Sequence, residues 1–236
     1  MKLNVYFIII SSFFVLLCFQ CIAQTENSTM TNVNDPNVVQ KIAAQNAVYF
    51  PSPPPTDIEG SVYLEEKYIN SEFILNEGVL LKGIALRYNI LHDAMEFLEK
   101  NEVKALYKSK LKQINIGGTI FMVVKMTAGE STKLKYMKSI NQNAPLALEN
   151  YELELKSQYY NPAIHSSRPK RNIIKKISLF ANLPNQDVVV PISNKSDLYN
   201  LVGSREKEIK EYMKKNKLSV KKIEELQKIL EYYISL

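Results

Sequence analysis

The residues best placed to do chemistry are His92 and Glu96, with Asp93 between them. Positions four apart share a face on a strand or on a helix, so an imidazole and a carboxylate at this spacing can converge. A zinc site or a general base needs further ligands or an oriented substrate. The only other histidine, His165, falls in a loop. His92-Asp93 therefore reads as a turn joining two strands, and a small exported hydrolase using His92 and nearby carboxylates is the alternative. Gly129-Glu130-Ser131-Thr132-Lys133 has the first half of a nucleophile elbow. It lacks the second glycine and sits between two strands, so it reads as a loop. Glu152 and Glu154 share one face of a strand, opposite Leu153 and Leu155, and the alternation explains them as a solvent face. Asn115-Ile116-Gly117-Gly118-Thr119 is no phosphate loop, because no Lys-Ser/Thr follows and no helix opens there. The sequence thus predicts no catalytic residue, no metal ligand and no cofactor. Whether the chain is an enzyme stays open, with the weight against.

Binding is the other kind of chemistry on offer. Arg87 and Asn89 project together from a strand whose other face is apolar. They can orient an anionic or hydroxylated ligand, or bridge to Glu72 or Glu96 as cross-strand pairs, which is the preferred reading. Tyr159 and Tyr160 precede a basic run containing Arg168, Lys170 and Arg171, and an aromatic pair there can stack on a sugar or peptide. Charge is unevenly spread: residues 57–102 hold ten acids and four bases, and residues 103–236 hold twenty-four bases and twelve acids. A basic half suits an anionic envelope lipid, a glycan or an acidic protein. Solvated faces and lysine-coated edge strands, which block edge-to-edge pairing, are the preferred reading. Nucleic acid is not expected of an exported chain.

Export is read from the start of the sequence. Lys2 precedes an uncharged apolar run from Val5 to Phe19, and Cys21-Ile22-Ala23 places small residues before a cut between Ala23 and Gln24. That order is a secretory signal peptide, and it implies the periplasm, the outer-membrane surface or the extracellular space. Both cysteines fall inside it, so the mature chain has no disulfide, no thiolate nucleophile and no Cys-ligated metal.

The elements that must carry these residues follow from pattern. Residues 24–34 are polar and predicted to be disordered, and Asp35-Pro36 then announces a short helix with a stripe of Val38, Val39, Ile42 and Ala43. The proline-rich Pro51–Pro55 linker comes next. A single β-rich domain is predicted over 57–236. Ile69, Phe73 and Leu75 form one strand face. Asn76-Glu77-Gly78 is a hairpin loop, and Leu80, Ile84, Leu86, Tyr88 and Ile90 form the returning face. Further strands at roughly ten-residue spacing run to Pro191. Residues 91–111 fit helical spacing as well, and the Lys100-Asn101-Glu102 turn decides for strands. From 193 to 235 the pattern is helical. Ser193 or Asn194, then Ser204, then Ser219 serve as caps, and Gly203 is a stop. The predicted fold class is α+β: an antiparallel β-meander, as a curved sheet or partly open barrel, followed by two to three short C-terminal helices.

Three stretches, Gly60-Ser61-Val62-Tyr63-Leu64, Leu86-Arg87-Tyr88-Asn89 and Asp93-Ala94-Met95-Glu96-Phe97, together with the lysine-rich tail ending Leu230-Glu231-Tyr232-Tyr233, resemble an uncharacterised family of exported Gram-negative envelope proteins. The resemblance spans about residues 57 to 236, with little match near 140 to 172. It implies export and a β-rich domain, and it carries over no activity and no site residue.

Overall fold

The computed structural model describes residues 31–33, 35–49, 55–157, 160–164 and 169–236. Residues 1–30, with Ala23 and Gln24 of the expected cleavage point, and Tyr159, His165 and Arg168 lie outside the described residues. Residues 31–236 form one unit.

Alternating side chains dictate a sheet of thirteen strands. These are β1 (Thr31–Val33), β2 (Ala47–Tyr49), β3 (Ile58–Glu59), β4 (Ile69–Leu75), β5 (Val79–Asn89), β6 (Ala94–Glu99), β7 (Glu102–Leu106), β8 (Leu111–Ile116), β9 (Thr119–Ala128), β10 (Ser131–Ser139), β11 (Leu146–Lys156), β12 (Arg171–Asn182) and β13 (Val188–Pro191). The helices are α1 (Pro36–Gln45), α2 (Lys195–Val202), α3 (Glu206–Asn216) and α4 (Ile223–Ser235). The fold is α+β, as the patterning predicts. Strands β9 to β13 close into a five-stranded barrel, because β13 pairs back onto β9 in parallel through Val188↔Lys125 and Val189↔Met126. The other strands leave the same β9 edge earlier, through β8, and run on in the order β4, β5, β6, β7, β2. Most pairings are antiparallel. Three short ones are parallel, β1 with β5, β3 with β12 and β13 with β9, and local alternation carries no sign of them.

Three apolar cores follow from the pleat, which sends alternate residues to opposite faces. Inside the barrel lie Met122, Met137, Leu146, Leu148, Phe180 and Val189. Between the barrel and the outer strands lie Phe73, Leu81, Tyr88, Met95, Phe97, Phe121, Tyr136 and their neighbours. The third core joins Ala147 and Ala181 to the apolar stripes of the helices, among them Leu198, Ile209, Met213, Leu226 and Leu230.

The sheet draws on residues either side of the proline-rich stretch. In α1, capped by Asp35 as expected, Val39 and Ala43 enter the outer core, whereas Val38 is exposed. Lys100 and Asn101 turn with positive φ of 51° and 67°, and residues 91–111 are β6, β7 and a short 3₁₀ turn at Lys108–Lys110. Asn194 caps α2 and Gly203 ends it. Two expected caps fall elsewhere. Ser204 sits inside a 3₁₀ turn, Gly203–Arg205, that leads straight into α3. Ser219 Oγ accepts the N–H of Lys221, one turn ahead of α4, whose own N-cap position is Lys222. Gln227 of α4 is buried on the helix face assigned to apolar residues. It accepts the Ala147 N–H at 2.7 Å and donates to Pro145 O at 2.8 Å, bolting the helix to the start of β11.

The returning strand differs from its predicted face in one respect. Ser71 pairs with Ile84 but Glu72 pairs with Lys82, so Gly83 is an extra residue, a bulge with φ +89°. The bulge flips the pleat, so Leu81 rather than Leu80 is fully buried. A Cβ at Gly83 meets nothing within 4 Å, so only backbone strain opposes a side chain there. Gly83→Ala is expected to cost about 1–2 kcal/mol in chemical denaturation, without loss of the native circular dichroism spectrum.

Candidate functional site

Three stretches of the chain, residues 60–64, 86–89 and 93–97, meet in space. Residues 62–64 extend the β4 edge along β5: Leu64 N–H donates to Tyr88 O, Ile90 N–H donates to Val62 O, and Tyr63 pairs with Asn89. Across the other edge, β6 sets Arg87 opposite Glu96 and Asn89 opposite Ala94.

At the centre lies the Glu96 carboxylate, 2% exposed. Arg87 Nη2 donates to one of its oxygens at 2.8 Å and Asn89 Nδ2 to the other at 2.6 Å. The Arg87 guanidinium lies over the Tyr63 ring at 3.6 Å and near the Tyr68 ring at 4.4 Å. A weakly hydrated, planar cation suits such a slot. Burial works against the Arg87 charge, but the bond it donates to Glu96, together with the charges of Tyr68, Tyr63 and Glu96, outweighs burial and leaves its pKa above the ordinary arginine value. Burial, with the Glu96 charge, raises Tyr63; burial raises Tyr68 against the opposing Arg87 charge. Of the two acids expected to bridge Arg87 and Asn89, Glu96 is the one used; Glu72 pairs with Lys82 at 3.0 Å.

Asp93 forms the second half of the cluster. It sits in the turn before β6 with φ +50°, a conformation Asp tolerates better than most residues. Its Oδ1 accepts from Tyr88 OH at 2.7 Å and from the Tyr136 N–H at 3.3 Å. Its Oδ2 accepts from Lys108 Nζ, and Lys135 Nζ stands 3.8 Å away. Lys108 also donates to Leu134 O at 3.3 Å. Strand β10 meets β11 at Lys138↔Glu149 and Ser139↔Leu148, and past that point its edge has no strand partner among the described residues. Asp93 and Lys108 cap that edge with side chains, one taking an N–H and the other a carbonyl. Burial lowers the Lys108 pKa from the usual lysine value, with the Asp93 charge opposing. Burial beside Asp93 raises Tyr88 and Tyr136 well above the ordinary phenol value. Burial and the hydrogen bond to Glu149 raise Tyr151.

The structure therefore brings Arg87, Asn89, Asp93 and Glu96 together and turns them on one another. His92 is exposed on the turn while Glu96 faces inward, so the proposed imidazole–carboxylate pair does not form a site. No group of three or more His, Cys, Asp or Glu suited to a metal is present among the described residues. Arg171 donates through Nε and Nη2 to Asp57 Oδ2, at 3.1 and 2.7 Å, which fastens β12 beside β3. Lys170 is exposed, and Tyr160 is half-buried. Lys175 reaches Leu64 O, and Lys176 pairs with Glu154. The sequence reading missed Tyr88, Lys108 and Lys135. The one signal for them was the polar hydroxyl of Tyr88 on an otherwise apolar strand face.

No protein-family model, no curated protein and no solved structure matches this chain.

Removing one partner of a buried pair leaves the other charge uncompensated, so Asp93→Ala is expected to cost about 3–5 kcal/mol in chemical denaturation. Glu77→Ala, at an exposed turn position, is expected to cost under about 0.5 kcal/mol. The phenols give a pH signature. Their folded pKa values are raised, so the stability they contribute is full below the ordinary phenol value near 10 and is lost as pH climbs through the folded values. Lys108 acts in the opposite sense over the same window, one ammonium against three phenols. In an alkaline titration followed by phenolate absorbance, Tyr88, Tyr136 and Tyr151 are expected to ionise only together with loss of the circular dichroism signal.

Proposed function

We propose that the protein is an exported, non-enzymatic module of the cell envelope that contacts an anionic partner: a lipid headgroup, an acidic glycan or an acidic protein. The proposal places it in the periplasm, at the outer membrane or outside the cell. Export is supported by the leader pattern of residues 1–23 and by the resemblance of the GSVYL, LRYN and DAMEF stretches to exported envelope proteins. A binding or structural role is supported by the cluster around Glu96 and Asp93, whose two carboxylates are engaged internally by Arg87, Asn89, Tyr88, Lys108 and the Tyr136 N–H. No helix among the described residues is long and apolar enough to cross a membrane.

The observation that carries the anionic contact concerns uncommitted charge. Lys214, Lys215, Lys217 and Lys221 are exposed at the end of α3 and in the turn that follows, and they make no ion pair among the described residues. Arg171, Lys175 and Lys176 are already engaged, so the contact shifts from the strand bases to this helical cluster. Each lysine near an anionic surface contributes about 1 kcal/mol at moderate salt.

Sedimentation with phosphatidylglycerol-containing vesicles, with neutral vesicles and with an acidic polysaccharide tests the reading. Binding to at least one anionic partner is expected, weakening with salt and falling about tenfold or more when the four lysines are changed to Glu. Equal binding to anionic and neutral partners, or none to either, contradicts it.

A further inference from the structure

The β11–β12 hairpin runs on after its neighbours stop. Strand β10 leaves β11 at Glu149, and β13 leaves β12 at Phe180. From Asn150 to Ser178 the hairpin is therefore a two-stranded arm, joined among the described residues by β3 alone, at Arg171 and Asn172. One face of the arm is braced: Tyr151 and Leu153 pack into the outer core, and Lys175 donates to Leu64 O at 3.3 Å. The ladder ends at Lys156↔Asn172. In the connection beyond it, Pro162, Ala163 and Ile164 are all exposed. Ile164, 75% exposed, is the most exposed large apolar side chain among the described residues.

A lone exposed isoleucine is ordinary, but two features set this turn apart. The first is its backbone. Asn161 Oδ1 accepts the Ala163 N–H at 3.0 Å, and Asn161 O accepts the Ile164 N–H at 3.0 Å. Pro162 has no N–H. Three successive residues thus carry no free backbone donor, and free donors are what make irregular chain costly to bring into hydrocarbon. The second feature is what surrounds the turn. Leu155 and Ile174, each 37% exposed, lie near the end of the arm on opposite faces, so its end is apolar on both sides. A face that docks on a protein is apolar on one side; an end that is apolar on both suits a medium that surrounds it. From Lys156 to Arg171 the sequence holds no acid. Lys156 and Lys170 flank the connection, exposed and in no ion pair among the described residues. Attachment to a bilayer grows with the apolar area buried among acyl chains and with the attraction of bases to anionic headgroups, and this turn supplies both.

We infer that the end of the β11–β12 arm enters the surface of an anionic lipid bilayer, with Pro162, Ala163 and Ile164 at the acyl boundary and Lys156 and Lys170 among the headgroups. The inference rests on the anionic contact proposed above and names lipid as its partner. It adds a second point of attachment to the α3 lysines, since Gln227 fastens the helices to the start of β11 and the turn lies past its end.

The chain contains no tryptophan, so Ile164→Trp reports from the turn alone. In the full mature chain, phosphatidylglycerol vesicles are expected to shift its emission to shorter wavelength, and brominated acyl chains are expected to quench it. Glu77→Trp, at an exposed turn elsewhere, is expected to show neither effect. Ile164→Glu is expected to keep the native circular dichroism spectrum, to weaken binding to phosphatidylglycerol vesicles about tenfold or more, and to leave binding to an acidic polysaccharide unchanged. Unshifted, unquenched Ile164→Trp emission while the chain sediments with the vesicles, or vesicle binding unchanged in Ile164→Glu, overturns the insertion and leaves the anionic contact standing. Binding to the polysaccharide with none to the vesicles does the same. Binding to no anionic partner overturns both.

Discussion

A strand edge inside a protein must be paired, because a buried backbone N–H or carbonyl without a partner costs as much as a lost hydrogen bond. Strand β10 faces that requirement where it leaves β11, and the Asp93–Lys108 pair meets it. Asp93 receives the Tyr136 N–H and Lys108 donates to Leu134 O. Both side chains come from the outer strands, so the pair also holds those strands against the barrel. Tyr88, bonded to Asp93 and packed on Phe121 and Tyr136, ties the same point to the apolar core between the two. The position is demanding: a carboxylate in a left-handed turn, among two ammonium groups and a phenol, with little water to share the load.

The same device recurs at β11. Gln227 stands in for a strand at Ala147 and Pro145, and in doing so places the helical layer. In both places a polar side chain from a distant segment ends a strand pairing. This construction explains why so much of the chain's polar chemistry is internal. Arg87 and Asn89 both donate to Glu96 beside two tyrosine rings, and Asp93 serves a backbone edge. Uncommitted and exposed charge gathers at the lysine-rich end of α3, where the proposed anionic contact lies.

Much of the architecture is legible in local pattern, because strand alternation and turn residues are local signals. The Asn76-Glu77-Gly78 hairpin, the strands over 91–111 and the caps at Asp35 and Asn194 follow from residue types alone. Closure of the barrel does not. It rests on two parallel pairings between residues more than sixty positions apart, and nothing near Val188 or Lys125 advertises them. The Gly83 bulge is equally silent, since a glycine inside a strand reads as ordinary alternation until the register of β4 is known. At the site, the Arg87–Glu96 bridge is readable as a cross-strand pair. Asp93 is not, because its partners Lys108, Lys135 and Tyr136 come from elements whose approach is a tertiary fact. Glu152 and Glu154 read as a solvent face in sequence, and Glu152 is exposed and Glu154 pairs with Lys176, whereas the burial of Asn150 in the same strand depends on the closed barrel.

The central claim is that two side chains replace a missing strand along β10. Native-state hydrogen exchange at the Tyr136 amide reads it directly. In the native protein this amide should exchange as slowly as core amides of β4 and β5. In Asp93→Ala it should become faster than they are, while β9-facing amides of β10 keep their protection relative to the core. A Tyr136 amide that exchanges freely in the native protein, or one whose protection relative to the core survives the loss of Asp93, contradicts the account.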